Sequence, residues 1–366
     1  MRSPLAVTQL FNKFGVSADP LPWQPALLSE PNRYRRRVRL ATRWLGLELR
    51  SPLVVGASPL TDDLDALKAC VEAGAGAVVM HSLFEEQLVE EQMAAHRFID
   101  SRINMDAEAR SFFPESELFE MGSDSYLQRL ELLRHSLGVP VIASLNGISA
   151  GGWTRHAREL EAAGAHAIEL NLYDLASDPE ETAEALEQRQ LSVVRSVAEQ
   201  VSIPVSVKLS PFYSALPAFV AGIEESGARG VVLFNRFYQP DMDLDELELS
   251  REVVLSTSAE LPLRLHAAAM LFGQTTLEMA VSGGVHSGDD AAKAILSGAA
   301  AVQVVSAVLS GGAGALSRIT REMTARLSGM GYRSLAEARG VLSMANAPNA
   351  RTWERLNYAR LLHGWK

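Results

Sequence analysis

The chain has 366 residues, 47% of them hydrophobic and 21% charged, with a formal net charge of −10. This composition excludes a largely disordered chain and leaves apolar mass for a large core, and the acidity argues against a nucleic-acid binder, which needs a concentrated basic surface. No run of about 18 apolar residues occurs, so no spanning helix is expected; MRSPLAVTQLFNKFG lacks the form of an export signal, the lone Cys70 makes no internal disulfide, and a cytoplasmic protein is expected.

In chain order, residues 1–38 read as an N-terminal arm that holds several prolines and runs into a basic stretch with five arginines from Arg33 to Arg39. A solvated arm or an oligomer contact competes there with a phosphate or membrane contact. RLATRWLGLELRSPL follows as a short hairpin that caps the bottom of the next domain. Strands then begin near Pro52, Ala77, Pro140, His166, Pro204, Gly230, Glu278 and Ala301. They are short, rich in Val, Ile and Leu, and do not alternate with polar residues, as expected of a parallel sheet covered on both faces. Helical periodicity fills most of the gaps, so eight βα units predict an α/β fold, a closed (β/α)8 TIM barrel over residues 39–345. Gly74, Gly164, Gly227 and Gly298 each stand where a helix ends before a strand. Ser334 and Glu337 form a capping box that opens a late helix, and residues 346–366 read as a C-terminal tail packed on the barrel. The longest gaps follow the second, fourth and sixth strands, which places the insertions on the face where barrel enzymes keep their chemistry.

The strand ends carry Ala57 and Ser58, His81 and Ser82, Ser144 and Asn146, Asn171, Lys208, Asn235, Gly283–Gly284 and Ser306. This set suits a flat heteroaromatic ligand with amide-like edges, since Asn donates and accepts in one plane. Lys208 ends an otherwise apolar strand, so it needs an anion or a chemical task. A Schiff base, a phosphate anchor, a charge partner for an anionic cofactor and a bridge to Glu169 all remain open. The stretch VSGGVHSGDD offers backbone N–H groups and a helix opening near Ser287 to an anion, with the Ser306 hydroxyl beside them.

The motifs LGLELRSPLVVGASPL, VVMHSLFEEQ, VIASLNGISAGGW, ELNLYD, VKLSP, LFNRFYQPD and SGGVHSGDDA, in this order on these strands, resemble the dihydroorotate dehydrogenase family of FMN barrels, closest to its bacterial dihydroorotate dehydrogenase-like paralogues. The resemblance covers roughly residues 39–345. It implies FMN as cofactor. Ala57, Ser58, His81, Ser82 and Asn146 would line the flavin, His81 standing where the family has a lysine. Asn171 would face flavin and substrate, and Asn235 would reach the substrate. Lys208 would sit at the pyrimidine end of the ring, and Gly283, Gly284 and Ser306 would hold the phosphate. Members that oxidise dihydroorotate carry a Cys or Ser base where this chain has Asp174, and a Pro and an Asn where it has Leu175 and Ala176. Asp174 is therefore the candidate base, with Tyr173 as a second candidate and a helix cap as the structural alternative for Asp174.

The function expected is that of an FMN-dependent oxidoreductase acting on CH–CH bonds of a small planar polar substrate, with dihydroorotate to orotate in pyrimidine biosynthesis as the named reaction. The alternative is a non-catalytic or partner-dependent flavin-binding barrel. A small-molecule substrate, a homo-oligomer and a redox partner protein are expected, with no nucleic acid and no integral membrane segment. No metal is expected: His81, Glu85, Glu86 and His96 lack an HExxH spacing.

Overall fold

The computed structural model describes residues 37–84, 123–147, 153–174, 176–236, 241–249 and 254–347. Nearly all of the arm and tail expected from the sequence lies outside these residues, as do Glu85, Glu86 and His96.

The described chain opens with an antiparallel hairpin, β1 (Thr42–Trp44) and β2 (Leu47–Leu49). It continues through β3 (Leu53–Val55), α1 (Leu64–Glu72), β4 (Ala77–Phe84), α2 (Ser123–Leu137), β5 (Val141–Asn146), α3 (Trp153–Ala162), β6 (Ala167–Asn171), α4 (Ala183–Ala198), β7 (Val205–Leu209), α5 (Leu216–Glu225) and β8 (Gly230–Leu233). A small hairpin, β9 (Met242–Asp243) and β10 (Glu248–Leu249), precedes α6 (Leu261–Leu271), β11 (Glu278–Ser282), α7 (Gly288–Ser297) and β12 (Ala301–Val304). The helices α8 (Ser306–Gly311), α9 (Ala313–Gly329) and α10 (Leu335–Ala338) follow. All eight strands expected from the apolar runs form, and they close into a parallel barrel in the order β11-β12-β3-β4-β5-β6-β7-β8. The fold is a (β/α)8 barrel.

Local chemistry explains the joints. Asp63 accepts from the backbone N–H groups of Asp65 and Ala66 and so starts α1, and Thr182 accepts from Ala185 to start α4. The repeated helix-ending glycines adopt positive φ, for example +90° at Gly164 and +126° at Gly298, where the chain must turn sharply from helix to strand. Ser334 caps the short α10 by accepting from Glu337 N–H at 3.3 Å.

Two apolar layers hold the barrel. The larger lies between strands and helices, where residues such as Leu53, Val78, Ile168 and Val207 meet Leu67, Leu130, Val194 and Ile223. The smaller fills the lower lumen with Val54, Ala77, Val79, Ile142, Ala167, Val232, Ala280 and Ala301, and Trp44, Leu45 and Leu49 of the first hairpin pack into it from below. The hairpin therefore plugs the barrel, as its sequence suggested. Its two turn residues, Leu45 and Gly46, have φ of +56° and +73°, the left-handed pair that a two-residue hairpin turn requires. A leucine is unusual there; burial of its side chain over Gly230 offsets the backbone cost. A Cβ on Gly230 would meet Leu45 Cδ2 at 2.6 Å. Thr42 Oγ1 donates to Ala300 O at 2.9 Å, and Gly46 N–H donates to Glu278 Oε2 at 3.1 Å, fixing the plug to the strand starts.

Candidate functional site

Above the apolar layer the lumen turns polar in two stacked rows. Register pairs Ser82 with Ser144, Ser144 with Glu169 and Glu169 with Ser206. One step higher on the same face, Asn146 pairs with Asn171 and Asn171 with Lys208. Side chains two apart on a strand share a face, so both rows line the upper lumen. β4 joins the lower row because an extra residue between Val79 and Ser82 shifts its register against β5. Such a bulge re-aims the strand end, and it brings Ser82 Oγ within 2.8 Å of Ser144 Oγ.

Lys208 is nearly buried and Glu169 completely so. Lys208 Nζ lies 3.4 Å from Glu169 Oε1 and donates to Gln303 Oε1 at 3.2 Å, while Gln303 Nε2 donates to Glu169 Oε2. The bridge to Glu169, one of the options open from sequence, is present. Gln303 was not singled out by sequence reasoning, although the same signal marks it: a lone polar residue inside the apolar strand AVQV. Asn235 Nδ2 donates to Asn171 Oδ1, so the two amides expected at the mouth meet there.

His81 sits at the rim, with its Nδ1 3.0 Å from Asp62 Oδ1 and its backbone N–H donating to Thr61 Oγ1 at 2.9 Å. Its ring packs edge-on against Tyr126, whose hydroxyl donates to His81 O and accepts from Ser144 N–H, each at 3.0 Å. Burial pushes the Tyr126 phenol far above its ordinary range, opposed by the Ser144 backbone and reinforced by Asp62 and Glu169. Tyr126 is thus a neutral brace between two strand ends. Ser58, after β3, has a buried hydroxyl with no hydrogen-bond partner among the described residues.

Gly283 and Gly284 follow β11 with φ of +89° and +75°. Gly284 N–H donates to Ser256 Oγ at 3.3 Å, and Ser256 Oγ donates to Ser306 Oγ at 2.9 Å. His286 Nε2 lies 3.3 Å from the same Ser256 hydroxyl. Behind the glycines, the buried Arg264 donates through Nε to Ser282 O at 2.5 Å and through NH1 to Glu260 O at 2.7 Å. Burial lowers the Arg264 pKa, with Glu260 opposing and Arg236 adding to the effect. A Cβ on Gly283 would lie 2.8 Å from this guanidinium, and one on Gly284 would lie 2.6 Å from Leu261 N. Ser256 and Arg264 carry no strand-end signal, which is why sequence reasoning passed over them.

The structure corrects the expectation for the helix near Ser287. Ser287 caps α7 by accepting from Asp290 N–H, Asp290 Oδ2 accepts from the backbone of His286 and Ser287, and Gly288 N–H donates to Glu322 Oε2 at 2.9 Å. These donors already face carboxylates, so this helix start does not offer them to an anion.

Asp174 is not a helix cap either. Its Oδ1 accepts from Ala176 N–H at 3.1 Å, and its Oδ2 accepts from Arg189 at 2.7 Å. Arg189 also donates to both oxygens of Glu181. Burial works against the Arg189 charge, but its hydrogen bonds to Asp174 and Glu181 prevail and raise its pKa above the usual value. Tyr173 is half-buried beside Asp174, its N–H donating to Asn171 O at 3.1 Å.

With this geometry in place, comparison with known proteins decides the family. The dihydroorotate dehydrogenase family model matches residues 116–327, more than half of the chain. The chain belongs to the dihydroorotate dehydrogenase family. On that footing it is an oxidoreductase of the family's type. A putative dihydroorotate dehydrogenase A (fumarate) of Aeropyrum pernix is 34% identical over 214 residues, covering 55% of this chain and 67% of that protein. The catalytic subunit of dihydroorotate dehydrogenase B (NAD(+)) of Methanosarcina mazei is 29% identical over 314 residues, covering 84% of this chain and 96% of that protein. Among the described residues no helix is long and apolar enough to cross a membrane, and no three His, Cys, Asp or Glu side chains are grouped as metal ligands.

Proposed function

We propose that the mouth of the barrel binds FMN and that the chain uses it to oxidise a carbon–carbon bond of a small planar polar substrate, with dihydroorotate to orotate in pyrimidine biosynthesis as the reaction to test first. The observation that carries this reading is the register row Asn146, Asn171 and Lys208, set at the strand ends of a barrel of this family. Lys208 would sit at the pyrimidine end of the flavin, with Ala57, Ser58, His81, Ser82 and Asn146 along the ring. Gly283, Gly284 and Ser306 would hold the phosphate. The Ser58 hydroxyl, without a partner among the described residues, and the left-handed glycine pair fit such a group. When bound, FMN supplies a hydride acceptor.

The remaining work falls to the protein. Asn171 and Asn235 present donors and acceptors in one plane and orient an amide-edged ring. The packed lumen and its plug keep water from entering below. Asp174 takes the proton that leaves the neighbouring carbon. Both of its oxygens are engaged, so it accepts that proton once Arg189 moves away, and Glu181 keeps the guanidinium paired when it does. The Arg189 clamp also favours the second reading, a flavin-binding barrel that has lost the base and serves a partner.

Anaerobic addition of dihydroorotate to the purified protein separates them. Loss of the flavin's visible absorbance supports the oxidoreductase acting on dihydroorotate. A bound flavin that stays oxidised overturns that substrate and supports the second reading.

A further inference from the structure

Glu169, Lys208 and Gln303 come from β6, β7 and β12, and β6 and β12 lie on opposite sides of the eight-stranded ring. The Glu169 carboxylate is fully buried; one oxygen accepts from Gln303 and the other faces the Lys208 ammonium at 3.4 Å. Gly56 leaves room for this arrangement, since a Cβ there would stand 3.3 Å from Gln303 Oε1. The only charge that Lys208 brings to the upper lumen is therefore matched by a carboxylate one layer below it. A protein tunes a flavin through charge near the pyrimidine end of the ring, and a cation there favours the reduced, more negative form. A cation with a buried counter-charge favours it less, because the carboxylate opposes the same added negative charge at low local dielectric.

We propose that Glu169, held in place by Gln303 from the opposite wall, is a positioning residue that both fixes the Lys208 ammonium and lowers the reduction potential of the flavin bound above it. The inference rests on the FMN reading given above. It assigns to Glu169 and Gln303 a task distinct from packing: the pair sets how readily the bound flavin is reduced.

The test is the midpoint potential of the flavin in the holoprotein, measured against reference dyes for wild type and variants. Glu169→Gln keeps the shape and removes the counter-charge. It is expected to shift the reduction equilibrium at least tenfold towards the reduced form, about 30 mV upward for a two-electron couple. Lys208→Met is expected to shift it downward, and the double variant is expected to return close to wild type. Glu169→Asp keeps the charge and should stay near the wild-type potential. If Glu169→Gln does not fold, Gln303→Leu removes the donor that holds the Glu169 carboxylate against Lys208 and should shift the potential in the same upward direction. A Glu169→Gln or Gln303→Leu holoprotein with the wild-type potential overturns the proposal. Wild-type protein that binds no FMN overturns the flavin reading itself, a result separable from the first because no potential is then measured.

Discussion

Glu169 and Gln303 stand 134 positions apart in the chain and on opposite walls of the barrel, yet their side chains share a hydrogen bond beneath the mouth. Together with Lys208 they make a floor of buried charge and amide on which the candidate site rests. Breaking a buried ion pair from one side costs about 3–5 kcal/mol, whereas replacing both partners costs far less. In urea unfolding, Lys208→Met and Glu169→Gln should therefore each destabilise the protein more than the double variant does. Additive losses would show that the pair is not coupled.

The glycine turn after β11 gives a second prediction. Gly284→Ala places a Cβ 2.6 Å from Leu261 N in a backbone with φ of +75°, so the turn must open. FMN affinity should fall about tenfold or more, equivalent to roughly 1.4 kcal/mol. Riboflavin, which lacks the phosphate, should bind the variant and wild type alike. Calorimetric titration with the two flavins checks this, and equal losses for both would place the phosphate elsewhere.

Asp174→Asn should lower the anaerobic rate of flavin reduction by substrate about 10²–10⁴-fold, the usual range for a lost general base. On the proposed reading Asp174 serves the substrate and not the cofactor, so FMN affinity should hold. Rapid-mixing absorbance measures the rate and equilibrium titration the affinity. An unchanged rate would leave the proton to Tyr173 or to water.

Acid should destabilise the protein through several carboxylates. Hydrogen bonds from Ser202 and Ile203 lower the Glu161 pKa from 4.5, and bonds from Thr275 and Thr276 do the same for Glu224. For Asp290, burial acts upward, but the bonds from Ser258, His286 and Ser287 prevail and lower its pKa from 3.8. A lowered folded-state pKa means that the unfolded chain binds protons first as pH falls. The stabilisation is complete above the ordinary carboxylate range and is lost as pH drops through about 4.5 and below. Melting temperatures between pH 7 and pH 3 should fall, and the fall should be shallower in Asp290→Asn. Parallel curves would rule out this contribution.

The fold was largely legible because its signals are local. Apolar runs such as PVSVKL and AVQVV, helix-ending glycines such as Gly164, and the Trp44–Leu45–Gly46 turn each declare themselves within a few residues. The polar strand ends were legible for the same reason, since a closed barrel brings Asn146, Asn171 and Lys208 side by side. What escaped depends on distant partners. Nothing near Asp174 in sequence names Arg189 as its clamp, and the start of α7 has the local sequence of an anion site although Asp290 and Glu322 occupy its donors in the fold. Arg264 behind the glycine turn was invisible because its value lies in two carbonyls it reaches only in the folded state.

FMN at the mouth of this barrel underlies the outcomes expected for flavin affinity and reduction. The most direct measurement is the visible absorbance of the purified protein, followed by denaturation, identification of the released chromophore, and titration of the stripped protein with FMN. A yellow protein that releases non-covalent FMN and takes it up again, with weaker uptake after Gly284→Ala, is expected. A colourless protein that neither quenches the fluorescence of added FMN nor gains stability from it would mean that the barrel mouth holds no FMN.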